Sequence, residues 1–264
     1  HSSRNSGVIH AGIYYPRDLG PLKSKFCVEG NKLLYEFCKK FNVPHKKTGK
    51  IVVATDEVEE EYLQDVLRIA DENGVNDIRL IDENEIKKLE PNVKGKYALY
   101  VPSSGVIEPT FLVKKLYKLA EDNGVIFLTE NMLKEIIPSG KDTGGFLLKL
   151  ISRSNVEVFK TRILINCAGL YSDEVAKMLD PKSPYKLEPI KGESAKFYSH
   201  KRSNISLCGM NVYPVPFGYY KNGERANVNF KEFLKLFKNN EVVKSVGVHL
   251  TPSLDIKGEK YDIS

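Results

Sequence analysis

The apolar positions change period several times along the chain. Residues 8–15 (Val8, Ile9, His10, Ala11, Gly12, Ile13, Tyr14, Tyr15) are largely β-branched and aromatic and end at Pro16, which predicts a strand. From Pro21 or Leu22 to about Phe41 the period is helical, with Phe26, Leu33, Leu34, Phe37 and Phe41 recurring at that spacing and Pro21 suited to the first turn. Residues 49–55 read as a buried strand. Asp56 then caps a helix that runs to Asn73 and Gly74. A short strand (78–81), a short helix (83–89) stopped by Pro91 and a strand (97–101) follow.

Residues 109–122 are amphipathic and helical, stopped by Asn123 and Gly124. Beyond an apolar run at 125–128, the glycines at 140–145 predict a hairpin. The apolar run 162–166 predicts a strand, and Ser172 and Asp173 a cap for a short helix to Leu179. The rest reads as strands at 185–189, 193–198, 211–216 and 246–250. Residues 222–242 interrupt this series: Phe230, Phe233, Leu234 and Phe237 fall on one helical face, which predicts an inserted helix packed on the body, with a partner-binding or lid element as the alternative.

The alternation of elements predicts a mixed α/β chain, and 264 residues suit one large domain or two interleaved ones. With 41% hydrophobic residues, the composition excludes a disordered or collagen-like chain. No apolar run is long enough for a transmembrane helix. The net charge of +6 is spread among acidic residues, as on a solvated surface, so no nucleic-acid partner is expected. Cys27, Cys38, Cys167 and Cys208 are widely separated, the pattern of buried thiols in a reducing compartment; no metal site is expected. The polar start at His1 without an initiator Met allows no targeting segment to be read, and so says little about location.

Three stretches could carry chemistry. In residues 163–172 an apolar run ends in Ala168 and Gly169, small residues that let the backbone approach a flat or anionic group, and a helix N-terminus follows. The sequence holds no GxGxxG turn and no P-loop, so nucleotide binding does not follow from spacing. Ser2, Ser3, Arg4, Asn5, Ser6 and Gly7 could form a backbone nest ahead of His10, or a plain terminal loop ahead of a strand histidine. Lys191 with Glu193, Tyr213 before Pro214, and His249 each put a polar group beside a strand, a set suited to a carboxylate substrate if it converges.

In this order the stretches resemble the FAD-dependent L-2-hydroxyglutarate oxidase/dehydrogenase family, part of the D-amino-acid-oxidase-like flavoenzymes. The resemblance rests on residues 5–16 (NSGVIHAGIYYP), 49–55 (GKIVVAT), 102–105 (PSSG), 166–173 (NCAGLYSD), 213–216 (YPVP) and 247–251 (GVHLT), and covers residues 1 to about 255. It implies a Rossmann-like FAD-binding domain (1–45 and 106–184) interleaved with a mixed-sheet substrate domain (46–105 and 185–250), the insertion at 222–242 and a tail at 251–264. The family's opening GxGxxG strand-turn and its closing FAD-contacting region have no match here. That implies a chain truncated at both ends, which is expected to hold FAD poorly by itself.

By the same resemblance, FAD is the cofactor and a 2-hydroxy acid the substrate, oxidised by hydride transfer to the flavin; the electron acceptor is not identified. His10 or His249 would serve as base or orienter, since a neutral imidazole near pH 7 suits proton removal. Lys191 and Tyr213 would bind substrate, Lys191 where hydroxyglutarate enzymes usually carry Arg. Ser3, Arg4, Asn5, Ser6 and Gly7 would lie along the flavin, and Ala168, Gly169 and Ser172 would approach the dinucleotide. The location implied is intracellular, cytoplasmic or mitochondrial. The alternatives are a degenerate or truncated relative without catalysis, and a related flavin enzyme acting on glycerol 3-phosphate or an amine.

Overall fold

A computed structural model describes residues 5–18, 20–140, 144–153, 155–189, 191–197, 207–245, 247–254 and 261–263, with the backbone alone at 217, 231, 244, 245 and 261–263. It is a mixed α/β structure. In chain order the elements are β1 (Val8–Ile9), α1 (Pro21–Phe41), β2 (His45–Lys46), β3 (Lys50–Ala54), α2 (Glu57–Glu72), β4 (Arg79–Asp82), α3 (Glu83–Leu89), β5 (Tyr97–Val101), β6 (Gly105–Ile107) and α4 (Pro109–Asp122). There follow β7 (Met132–Pro138), β8 (Phe146–Ser152), β9 (Asn155–Thr161), α5 (Ser172–Leu179), β10 (Asn211–Pro214), β11 (Phe217–Tyr220), α6 (Phe230–Lys238), β12 (Val242–Ser245), β13 (Pro252–Leu254) and β14 (Tyr261–Ile263). The chain divides into two compact units, His1–Leu119 with Ser194–Ser264, and Ala120–Glu193.

The first unit is built on a four-stranded sheet in the order β10-β3-β5-β4, with β10 parallel to β3 and the other pairs antiparallel. Every residue of β3 is buried because both sheet faces are covered. Val52 and Ala54 face a cluster with Tyr62, Leu63 and Val66 of α2, while Ile51 and Val53 face one with Ile86 of α3. α2 begins where Asp56 accepts a hydrogen bond from the Glu59 amide at 2.8 Å. The helix at α6 packs as its periodicity predicts: Phe230 and Phe233 are buried in the first cluster, Phe230 edge-on to Tyr62.

A second, three-stranded sheet in the order β1-β6-β2 packs against α1 through Ile9, Cys38, Val43 and Ile107. α1 meets the expected apolar face in part, with Leu34, Phe37 and Phe41 packed against that cluster. Phe26 and Leu33 are 60% and 63% exposed, and its buried residues are Ser24, Asn31 and Cys38. Part of the inward face makes hydrogen bonds: Ser24 Oγ donates to Asn73 Oδ1 at 2.6 Å, and Asn31 Nδ2 donates to the carbonyls of His10 and Ser103.

The expected strand over 8–15 contracts to Val8–Ile9. Beyond it the carbonyls a ladder would use are taken by side-chain amides, Asn31 on His10 and Asn73 on Gly12 and Tyr15. Residues 246–250, of which 246 lies outside the described residues, form one bridge, with Leu250 and Val212 exchanging both backbone hydrogen bonds.

The second unit contains the antiparallel sheet β7-β8-β9, whose first two strands form the hairpin predicted around 140–145, and helix α5. The strand expected at 162–166 is not formed. Ile163 and Ile165 are 75% and 76% exposed, and an apolar strand without flanking strands on either edge has no ladder to join. Residues 185–189 form no strand either, between Pro184 and Pro189, which donate no backbone hydrogen bond. Among residues 193–197 there is only an isolated bridge, and 198 is outside the described residues. The cysteines are all free, but only Cys38 is buried; Cys27 is half-buried and Cys167 and Cys208 are exposed, Cys167 within the unpaired run. Among the described residues no helix is long and apolar enough to cross a membrane.

Candidate active site

The first unit gathers His10, Tyr213 and His249, three of the residues singled out in the sequence, around a fourth that was not, Lys50. His10 follows β1 and is held by its backbone. The Ser104 hydroxyl donates to the Ile9 carbonyl at 2.9 Å, and Asn31 donates to the His10 carbonyl at 2.9 Å. Upstream, the Gly7 amide donates to Asn5 Oδ1 at 2.8 Å, closing a local turn, and the Ile107 amide donates to the Gly7 carbonyl. Gly7 has φ +70°, and a Cβ there would lie 2.7 Å from the Ile107 carbonyl oxygen, so packing within this unit already requires glycine. Asn5 and Ser6 are exposed, while Ser3 and Arg4 lie outside the described residues.

Tyr213 comes from β10 and is buried on the same sheet face as Val52. Its ring stacks on the imidazole of His249, with centroids 4.4 Å apart and planes at 16°. Burial raises the Tyr213 phenol, while a hydrogen bond with Thr251 acts the other way. Among the described residues His249 Nδ1 is sealed from solvent without a hydrogen-bond partner.

Lys50 occupies an inward position of β3, where the alternation of the strand would place an apolar residue. It is fully buried, and its ammonium lies 4.5 Å from the Tyr213 ring centroid and 5.2 Å from that of Tyr14. Among the described residues no hydrogen-bond acceptor reaches Nζ. Burial lowers the Lys50 ammonium to about 8. Although His10 reaches solvent, its imidazole is backed by protein. Desolvation, then the charges of Lys50 and His249, lowers it to about 4, which leaves it neutral at pH 7. Lys50 stands at the head of a run that reads as a core strand, so a pattern search takes it for a boundary residue. Its burial is the only signal.

The remaining candidates belong to the second unit. Lys191 is 82% exposed and pairs with Glu193 at 2.8 Å. Asn166 Oδ1 accepts from the Ala168 amide, Asn166 Nδ2 donates to the Ser172 carbonyl, and the Ser172 hydroxyl donates to the Gly169 carbonyl at 2.7 Å. Gly169 has φ +60°, and a Cβ there would meet nothing within 4 Å, so this turn presents an open backbone face. The first turn of α5 carries Asp173 and Glu174, charges that disfavour a phosphate at its N-terminus.

The chain matches the family described as FAD dependent oxidoreductase (DAO) over residues 1–226. It is 40% identical over 215 residues to the mitochondrial L-2-hydroxyglutarate dehydrogenase of Caenorhabditis briggsae, covering 81% of this chain and 48% of that one. It is 36% identical over 217 residues to the L-2-hydroxyglutarate dehydrogenase of Indibacter alkaliphilus, covering 81% and 51%. Thus the chain spans about half the length of the curated relatives it matches. Among solved structures it is similar to the FAD-bound L-alpha-glycerophosphate oxidase of Mycoplasma pneumoniae, with TM-score 0.60 and 30% identity over 67% of this chain and 46% of that one.

Proposed function

The chain belongs to the FAD dependent oxidoreductase family, and from that premise we propose that its activity is the oxidation of a 2-hydroxy acid of the L-2-hydroxyglutarate kind to the 2-oxo acid. The observation that carries the substrate class is the 40% identity over 215 residues to an L-2-hydroxyglutarate dehydrogenase. The cluster of His10, Lys50, Tyr213 and His249 supports it, because an anionic hydroxy acid needs a positive field and a proton acceptor side by side.

FAD, when bound, supplies the two-electron acceptor for the substrate's α-hydrogen. The residues present fit part of that cofactor. In the second unit the open backbone face at Gly169, flanked by Ala168 and Ser172, suits a flat uncharged group; in the first, Asn5 and Ser6 ahead of His10 are exposed and suit a flavin edge. The acidic first turn of α5 does not suit the pyrophosphate, and the sequence has no glycine-rich turn to take it. His10, neutral at pH 7, receives the hydroxyl proton as the α-hydrogen leaves. His249, fixed by its stack on Tyr213, orients the hydroxyl. Several relatives carry "mitochondrial" in their names, and the same compartment is proposed here.

The test is anaerobic titration of the FAD-loaded protein with L-2-hydroxyglutarate, followed by flavin absorbance. Bleaching is expected. A second reading comes from the 30% identity to a glycerophosphate oxidase, so glycerol 3-phosphate is the matched control. Bleaching by that compound alone would overturn the 2-hydroxy acid assignment.

A further inference from the structure

Lys50, the cation of the proposed site, is a physical anomaly whose effect on His10 the proposed reaction leaves unassigned. A lysine ammonium is rarely fully buried without a carboxylate, because losing its hydration costs far more than ring contacts return. Among the described residues none is paired with it, and its neighbours are the rings of Tyr14 and Tyr213. The titratable groups facing it are Tyr14 after β1, Cys27 of α1, Tyr213 of β10, and His10 and His249 at the site. No carboxylate is among them. Lys50 and His249 share the Tyr213 ring, so the two lie within about 9 Å of each other, under the ~10 Å screening length of 0.1 M salt. The low-dielectric core between them screens less still.

We propose that Lys50 is a positioning residue of this site, a fixed positive charge that acts through space on His10 and on an anionic substrate without touching either. The position is costly for stability, and a charge retained there at neutral pH is one the site uses. With the ammonium lowered only to about 8, Lys50 is charged at pH 7 and opposes a second positive charge at His10. The same field favours the carboxylate of the substrate, a part of the inference that rests on the 2-hydroxy acid reading above.

Two measurements on the FAD-loaded protein test this. The first is NMR titration of the His10 ring, assigned by loss of its signal in His10→Gln, in the protein and in Lys50→Met and Lys50→Arg. The His10 midpoint is expected to rise by about one pH unit or more in Lys50→Met and to stay low in Lys50→Arg. An unchanged midpoint in a folded Lys50→Met would overturn the proposal. Lys50→Gln makes the same comparison if Lys50→Met does not fold. The second is the KM for L-2-hydroxyglutarate, expected to rise about tenfold in Lys50→Met with a smaller change in kcat and a weaker salt dependence. A KM that stays put would overturn the substrate half. Failure of L-2-hydroxyglutarate to reduce the flavin would sink the substrate reading, while the His10 titration would still decide the role of Lys50.

Discussion

Tyr213 lies flat on His249, ring on ring at 4.4 Å, and the same tyrosine ring receives the buried ammonium of Lys50 at 4.5 Å. One side chain from β10 therefore joins a core position to the candidate site. Tyr213→Phe keeps the stack and removes only the hydroxyl that interacts with Thr251, for an expected loss of about 1 kcal/mol. Tyr213→Ala removes the ring as well and is expected to cost about 3–5 kcal/mol. Urea unfolding of the two variants separates these contributions.

Asn31 sets where His10 stands, since its one amide donates to the carbonyls of both His10 and Ser103. Asn31→Ala leaves both acceptors without that donor and is expected to destabilise by about 1–3 kcal/mol. Since it frees the His10 backbone, flavin reduction is expected to slow by more than the KM changes, measured by stopped-flow absorbance.

The buried ammonium makes stability depend on pH in a definite direction. The Lys50 pKa is about 8 in the folded chain against 10.5 ordinarily, so between these values the unfolded chain binds more protons and stability rises with pH. Below pH 8 the full penalty applies. Lys50→Met is therefore expected to be more stable than the natural chain by about 3 kcal/mol near pH 7, an advantage that fades toward pH 10.5. Denaturant midpoints of both proteins across pH 7–10.5 check the sign; a constant gap would contradict it.

His10 works on the acid side. Its folded value of about 4 lies below the ordinary 6.5, so its contribution to stability is complete above pH 6.5 and is lost as the pH falls toward 4. His10→Gln is expected to flatten that part of the stability profile, again by denaturant midpoints.

The inserted helix offers a contrast within one face. Phe233 is 2% exposed and Phe237 43% exposed. Phe233→Ala is expected to cost about 3–5 kcal/mol and Phe237→Ala under about 1 kcal/mol, read by thermal or urea unfolding.

The sequence by itself determined the elements whose signals are local. α1, α3 and α4 run between the residues that proline placement and periodicity predict, α2 starts on Asp56, and the 3.6-residue spacing of Phe230, Phe233 and Leu234 marks α6. These succeed because caps and helical faces are set within a few residues of chain. The motif order likewise pointed to the flavoenzyme family that the comparisons identify.

Tertiary structure decided what depends on partners far along the chain. The run 162–166 has strand composition but finds no ladder, and the strand at 8–15 stops after two residues because Asn31 and Asn73 claim its carbonyls. Leu34, Phe37 and Phe41 pack inward as their spacing predicts, while Phe26 and Leu33 face outward because Ser24 and Asn31 take the inward positions beside them for hydrogen bonds. The same holds for chemistry. His10, Tyr213 and His249 could be singled out by type, but Lys50 could not, because what distinguishes it is desolvation. That property comes from the strands and rings packed around it, and no local stretch of sequence carries it.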